Sequence, residues 1–186
     1  MPATGRKKAG GGLFAVMTVL LIVHGLLAVA LLGALTHQAL AVCWPSRRPE
    51  TFVARFRAVS SPSYTTAIII LFLVTFVIGS VIYPAYRLNV RTYLQDYRLY
   101  WAEGIFEIKE HVLAISLALL PFYAYVWRQP ALQPAGAAIS AATDADGSDA
   151  AAGRARTAVT VMIALAVWFS FLTGHVLNNI RGLFGA

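Results

Sequence analysis

Residues 13–35 have the sequence LFAVMTVLLIVHGLLAVALLGAL, an apolar run without a single Asp, Glu, Lys or Arg. A helix needs about 20 mainly apolar residues to cross the hydrocarbon core of a bilayer, and this run is long enough. A signal peptide also follows a basic stretch, here Arg6, Lys7 and Lys8, but its apolar core is only about 7–15 residues long. The run is therefore predicted to be a first membrane-spanning helix.

Three more apolar runs of spanning length occupy residues 65–86, 105–127 and 157–177. Residues 129–152 are rich in Ala, Gly and Asp, a composition that predicts a flexible loop. We therefore expect an all-α fold, a polytopic integral membrane four-helix bundle over residues 13–181. A basic tail at residues 1–12 precedes this bundle, and a short tail at residues 182–186 follows it.

The composition of the whole chain supports a membrane environment. The 186 residues are 59% hydrophobic and 12% charged, and the mean hydropathy is +0.68. A soluble domain usually carries about 25% charged residues. The net charge is +7, and the basic residues flank the apolar runs, where they meet lipid head groups. The expected partner is thus the lipid bilayer, and no nucleic acid is expected. The single cysteine, Cys43, excludes an intramolecular disulfide.

Orientation follows from the basic residues beside the runs, because cytoplasmic loops carry more Lys and Arg. With both termini inside, the 15 Lys and Arg residues divide eight to seven in favour of the inner side. We expect an integral protein of a bacterial inner membrane with both termini in the cytoplasm.

Two amphipathic stretches are predicted to lie at the membrane surface. One covers residues 52–59. The other covers residues 89–104 and interleaves aromatic with charged side chains, namely Tyr93, Tyr97, Tyr100 and Trp101 with Arg91, Asp96 and Arg98.

Ionisable residues inside the runs are the candidates for function, because a titratable group at membrane depth is costly. His111 and His175 each lie about six residues inside the membrane, on consecutive helices that enter and leave the same leaflet. They are therefore expected at a similar depth. Both rings are expected to point into the bundle, because a lipid-facing imidazole has no partners. His24 lies near the middle of the first run.

Two imidazoles at one depth can ligate a b-type haem through their Nε2 atoms. We expect His111 and His175 as the axial ligands, with His24 as an alternative, and Arg87 and Arg91 close enough to pair with the propionates. In architecture and histidine placement the chain resembles four-helix membrane cytochromes of b type. The resemblance implies electron transfer or another redox reaction, with a quinone or other membrane redox subunits as partners. The early histidine is also similar to that of small bacterial protoporphyrinogen oxidases and copper-resistance membrane proteins, whose other motifs are not matched.

Glu107 and His111 form a second constellation, because residues four apart share a helix face. With His24 and His175 they would hold a single Zn or Fe ion. If Glu107 points into the bundle, Glu107→Ala should disturb function or assembly more than Glu103→Ala. The alternative is that the acidic residues form ion pairs with neighbouring basic residues at the head-group boundary.

Three functions follow from these patterns. The first is a haem-b-binding membrane protein in electron transfer or a redox reaction. The alternative is a structural or accessory subunit of a larger membrane complex, in which the polar residues lock helices together. The third is a mononuclear metal-dependent enzyme that uses the Glu107/His111 face. Whether the chain is an enzyme is left open, since it has no phosphate-binding loop, GxSxG or HExxH motif.

Overall fold

A computed structural model describes residues 5–44, 59, 62–129 and 145–183, and this part of the chain is helical without strands. The prediction of an all-α fold is thus confirmed for the described residues. The four long helices are α1 (Gly5–Cys43), α2 (Pro62–Tyr86), α4 (Tyr100–Arg128) and α5 (Ala145–Leu183). A π-helical turn, Arg87–Arg91, continues α2 into the short helix α3 (Thr92–Asp96).

Three helical segments are long and apolar enough to cross a membrane, namely Ala15–Cys43, Ser63–Asp96 and Ala151–Ile180. They support the prediction of an integral membrane protein. Helix α4 is not among them. Its first half is interrupted by Glu103, Glu107, Lys109 and Glu110, so that its continuous apolar part begins only after His111.

Some helix ends differ from the predicted boundaries. Helix α1 begins at Gly5, inside the expected basic tail, and α5 begins at Ala145, inside the expected loop at 129–152. The extension of α5 has a local reason: alanine has the highest helix propensity, and Asp146 and Asp149 are favoured near a helix N-terminus. The expected surface helix at 52–59 lies outside the described residues, apart from Val59.

The four long helices share one hydrophobic core. Each contributes a side chain that is at most 1% exposed: Leu35, Ile68, Tyr123 and Ile163. The contact between α4 and α5 is the most extensive, and α1 packs against both α2 and α5. The core therefore lies where the helices face one another, and apolar side chains also cover the outer surface, as expected in lipid.

Polar side chains join the helices across this core. The buried Tyr123 hydroxyl of α4 donates a hydrogen bond to Gln38 Oε1 of α1. Three more bonds between helices run from Trp127 Nε1 to Thr160 Oγ1 at 2.9 Å, from Trp168 Nε1 to Thr36 Oγ1 at 2.9 Å and from Tyr64 Oη to the Ala34 carbonyl at 2.9 Å. Hydrogen bonds thus join α1 to α2, α4 and α5, and join α4 to α5.

The turn between α3 and α4 has the hydrogen bonds of a Schellman motif. The N–H of Leu99 donates to the Leu94 carbonyl at 2.8 Å, and that of Arg98 donates to the Gln95 carbonyl at 2.9 Å. Arg98 has a φ of 57°, in the left-handed region that glycine normally occupies at this position. The motif reverses the chain so that α4 starts beside the end of α2.

Candidate functional site

His24 of α1 contacts the backbone of α2. Its Nδ1 lies 3.0 Å from the carbonyl oxygen of Thr75. A carbonyl only accepts hydrogen bonds, so Nδ1 is the donor in this bond. A Cβ at Gly79, one turn further along α2, would lie 3.0 Å from His24 Cε1. The glycine therefore permits the close approach that this bond requires.

His111 lies on the outer face of α4. The residue is exposed, and its Nδ1 is 2.7 Å from the carbonyl oxygen of Glu107 on its own helix. By the same argument its Nδ1 is the donor, and Nε2 makes no part of this bond. Its neighbours on this face are Ile108 and Ile115, which are 55% and 60% exposed. Glu107, 58% exposed, lies one turn earlier on the same face, so the imidazole stands between apolar side chains and a carboxylate.

His175 is exposed as well, near the end of α5. Its ring lies parallel to that of Phe171, with 6.5 Å between the ring centroids. The expectation that His111 and His175 both point into the bundle is wrong. The inward positions are taken by buried apolar side chains such as Leu120 of α4 and Leu177 of α5, and helix periodicity places the histidines on the opposite face from them.

The depth of the two histidines follows from the antiparallel register of α4 and α5. The bond between Trp127 and Thr160 marks one common level. His111 lies 16 residues before Trp127 and His175 lies 15 residues after Thr160, which corresponds to about 24 Å and about 22 Å along the helices. The two rings are therefore at a similar depth, on the outside of adjacent helices.

The acidic residues of α4 form ion pairs. Arg91 pairs closely with Glu103, whose side chain is 14% exposed, and Gln95 Nε2 donates to both Glu103 carboxylate oxygens at 3.1 and 3.2 Å. Glu107 is 58% exposed and lies 3.7 Å from Arg91. The premise that Glu107 points inward is thus wrong: Glu103 is the better buried and better bonded of the two. Glu103 is better buried because it lies beside the π-helical turn that carries its partner, Arg91.

The basic residues expected near the propionates already have partners. Arg91 is engaged by Glu103, and the Arg87 guanidinium lies 5.9 Å from the ring centre of Tyr83. Lys109 pairs with Glu110 at 3.1 Å and lies 4.0 Å from the ring centre of Phe106. Arg91 and Lys109 thus pair with acidic residues, as the alternative interpretation of this cluster expected, whereas Arg87 lies over an aromatic ring.

No metal site is assembled among the described residues. Within these ranges, no group of three or more His, Cys, Asp or Glu side chains lies close enough to hold an ion. The four proposed ligands, His24, Glu107, His111 and His175, are all described, so the structure does not bring three of them together.

The buried pair of Gln38 and Tyr123 is the polar feature that sequence reasoning missed. Both residues are 0% exposed, and Thr65, also 0% exposed, lies next to them. The available signal was the polar Thr36-His37-Gln38 triplet at the end of the first apolar run. A polar residue there predicts either the end of a span or a buried partner, and only the second interpretation is compatible with the structure.

Comparison of the chain with protein-family models, with curated proteins and with solved structures finds no match in any of the three. No relative therefore assigns a role to these residues.

Proposed function

We propose that this chain is an accessory subunit of a larger membrane complex, anchored by four helices that all cross the bilayer. Helix α4 has 29 residues, about 43 Å of helix, against a hydrocarbon core of about 30 Å. Its charged first half lies towards one surface, where Glu103 and Lys109 are neutralised within the chain. Length and internal pairing support a fourth crossing despite the lower hydropathy.

The observation that carries the accessory role is the exposed His111. It lies eleven residues after Tyr100, so a centred α4 would place it about 10 Å inside the hydrocarbon core. An ionisable side chain at that depth normally faces protein or water. The ring faces outward among Ile108, Ile115 and the exposed Glu107, and we infer that another protein surface removes these polar side chains from lipid.

Site-specific photo-crosslinking in the native membrane tests this role. A crosslinker at Ile115, beside His111, should give one discrete protein adduct, and His111→Leu should abolish it. A crosslinker at Leu26, 67% exposed on α1, is the matched control and should give lipid adducts. Lipid adducts at both positions would disprove the accessory role.

The topology has its own test. With Cys43 replaced by Ala, cysteines introduced at positions 5 and 185 should be labelled from the same side, and one at Asp146 from the other. We propose that the side with the termini is the cytoplasmic face of a bacterial inner membrane. Labelling of positions 5 and 185 from opposite sides would exclude four crossings.

As a second candidate, we propose a haem b ligated on the outer surface of α4 and α5. The supporting observation is that the Nδ1 of His111 is bound by a backbone carbonyl, which orients the ring and leaves Nε2 as a ligand atom. His175 lies at a similar depth, and a Cβ at the neighbouring Gly174 would meet nothing within 4 Å. The visible spectrum of the purified, reduced protein tests this candidate: an α-band lost in both His111→Leu and His175→Leu supports it, and a colourless protein refutes it.

A further inference from the structure

The turn that joins α3 to α4 contains an arginine with a strained backbone. Arg98 occupies the left-handed position of the Schellman motif, with a φ of 57°. A side chain at such a position crowds the backbone, and glycine is usually found there. Backbone outliers of this kind point to a functional constraint on the residue that holds them.

The guanidinium of Arg98 is available to a ligand. The residue is exposed, and its side chain makes no hydrogen bond, ion pair or ring contact with any other residue in the described ranges. The two other arginines near this turn differ: Arg91 is bound by Glu103, and Arg87 lies over the Tyr83 ring.

Exposed aromatic side chains flank this arginine in the chain. Tyr97, Tyr100 and Trp101 are 53%, 63% and 54% exposed. Amphipathic rings of this kind concentrate at the level of the lipid head groups, where one end is apolar and the other is hydrated. The apolar segment Ser63–Asp96 ends two residues before Arg98, and α4 begins two residues after it. The turn therefore lies at a membrane surface, provided that α2 and α4 cross the bilayer as proposed above.

We propose that this turn is a binding site for the phosphodiester of an anionic phospholipid, with Arg98 as the contact to phosphate. The planar guanidinium offers paired N–H donors that match the geometry of a phosphate group. The flanking tyrosines and tryptophan hold the turn at head-group depth. Asp96, two residues earlier, opposes an anionic ligand, so that Asp96→Asn should strengthen binding.

Native mass spectrometry of the full-length protein, delipidated and then offered phosphatidylglycerol or phosphatidylcholine, tests the proposal. The wild-type chain should retain phosphatidylglycerol in preference. Both Arg98→Gln and Arg98→Gly should reduce that preference about five-fold, the effect expected for one basic residue at an anionic surface. The first variant keeps the backbone strain and the second relieves it, so a shared loss is due to the missing guanidinium.

Matched controls separate this result from a general effect of charge or folding. Arg154→Gln removes an exposed arginine from the first part of α5, at the opposite end of the helices, and should leave the lipid preference unchanged. Because Arg98→Gly relieves strain, its thermal unfolding temperature should not fall, which excludes misfolding as a cause. Equal retention of both lipids by the wild type, or an unchanged preference in Arg98→Gly, would overturn the proposal. The cysteine-labelling experiment tests the membrane topology independently.

Discussion

The buried hydrogen bond between Tyr123 and Gln38 can be removed from either side. Tyr123→Phe deletes the donor and leaves the Gln38 carbonyl oxygen without a partner, while the ring and its packing remain. Gln38→Leu deletes the acceptor, together with a buried Nε2 that has no hydrogen-bond partner among the described residues, and leaves only Thr65 beside the tyrosine hydroxyl. The double variant removes the donor and the acceptor together. Both positions are 0% exposed, so water cannot replace the partner that a single variant loses.

The size of the effect follows from the burial of the two groups. A buried polar group that loses its partner costs about 1–3 kcal/mol. Hydrogen bonds between membrane helices couple more weakly, by about 0.6 kcal/mol on average and at most about 1.7, because separated helices also find partners. Complete burial places this bond towards the upper end. We expect each single variant to lose about 1–2 kcal/mol and the double variant to lose about 1 kcal/mol less than the sum.

Reversible unfolding in mixed micelles, followed by steric trapping, measures these differences. Tyr125→Phe is the matched control, since it makes the same change two residues away on a side chain that is 62% exposed. It should change the free energy of unfolding by less than about 0.5 kcal/mol. Strict additivity of Tyr123→Phe and Gln38→Leu would show that the two side chains are not coupled, and would refute the reasoning.

Three further predictions use the same unfolding assay. Arg98→Gly should raise the free energy of unfolding by about 1 kcal/mol, because glycine adopts a positive φ without steric cost; a decrease would contradict the assigned strain. Glu103→Gln should lower the free energy of unfolding by about 1 kcal/mol and Glu107→Gln by less than about 0.5 kcal/mol, since only Glu103 is largely buried beside its partner. A larger loss for Glu107→Gln would instead support the expectation that Glu107 points into the bundle. Gly79→Leu should lower the stability by about 1–3 kcal/mol through overpacking against α1, whereas Gly174→Leu should be tolerated because it faces open space; equal effects would exclude the close contact.

The candidate site was predictable in its composition and depth. The ionisable residues within apolar runs are visible in the sequence, and counting residues along two antiparallel helices was sufficient to place His111 and His175 at a similar level. Their direction was not predictable. An imidazole was expected to point inward because lipid offers it no partner, but His111 instead bonds to the carbonyl of its own helix. That local hydrogen bond gives the Nδ1 atom a partner without any contact in the interior of the bundle.

The role of Glu103 also depended on an element that no pattern indicated. The π-helical turn Arg87–Arg91 after α2 brings Arg91 to the start of α4, where it pairs more closely with Glu103 than with Glu107. A sequence shows which residues are charged, but the pairing depends on a backbone path that differs from a regular α-helix over five residues.

By itself the sequence determined that the chain is helical and membrane-embedded, because apolar runs of about 20 residues satisfy their backbone hydrogen bonds in lipid only as helices. It could not determine the rotation of those helices, because α1 and α2 are apolar on all sides and no periodicity marks an inner face. Only the tertiary structure decided that Gln38 and Tyr123 meet in the core, that His24 contacts Thr75 and that His111 faces outward. These outcomes depend on which helix surfaces pack most closely, and packing involves residues that lie far apart in the chain.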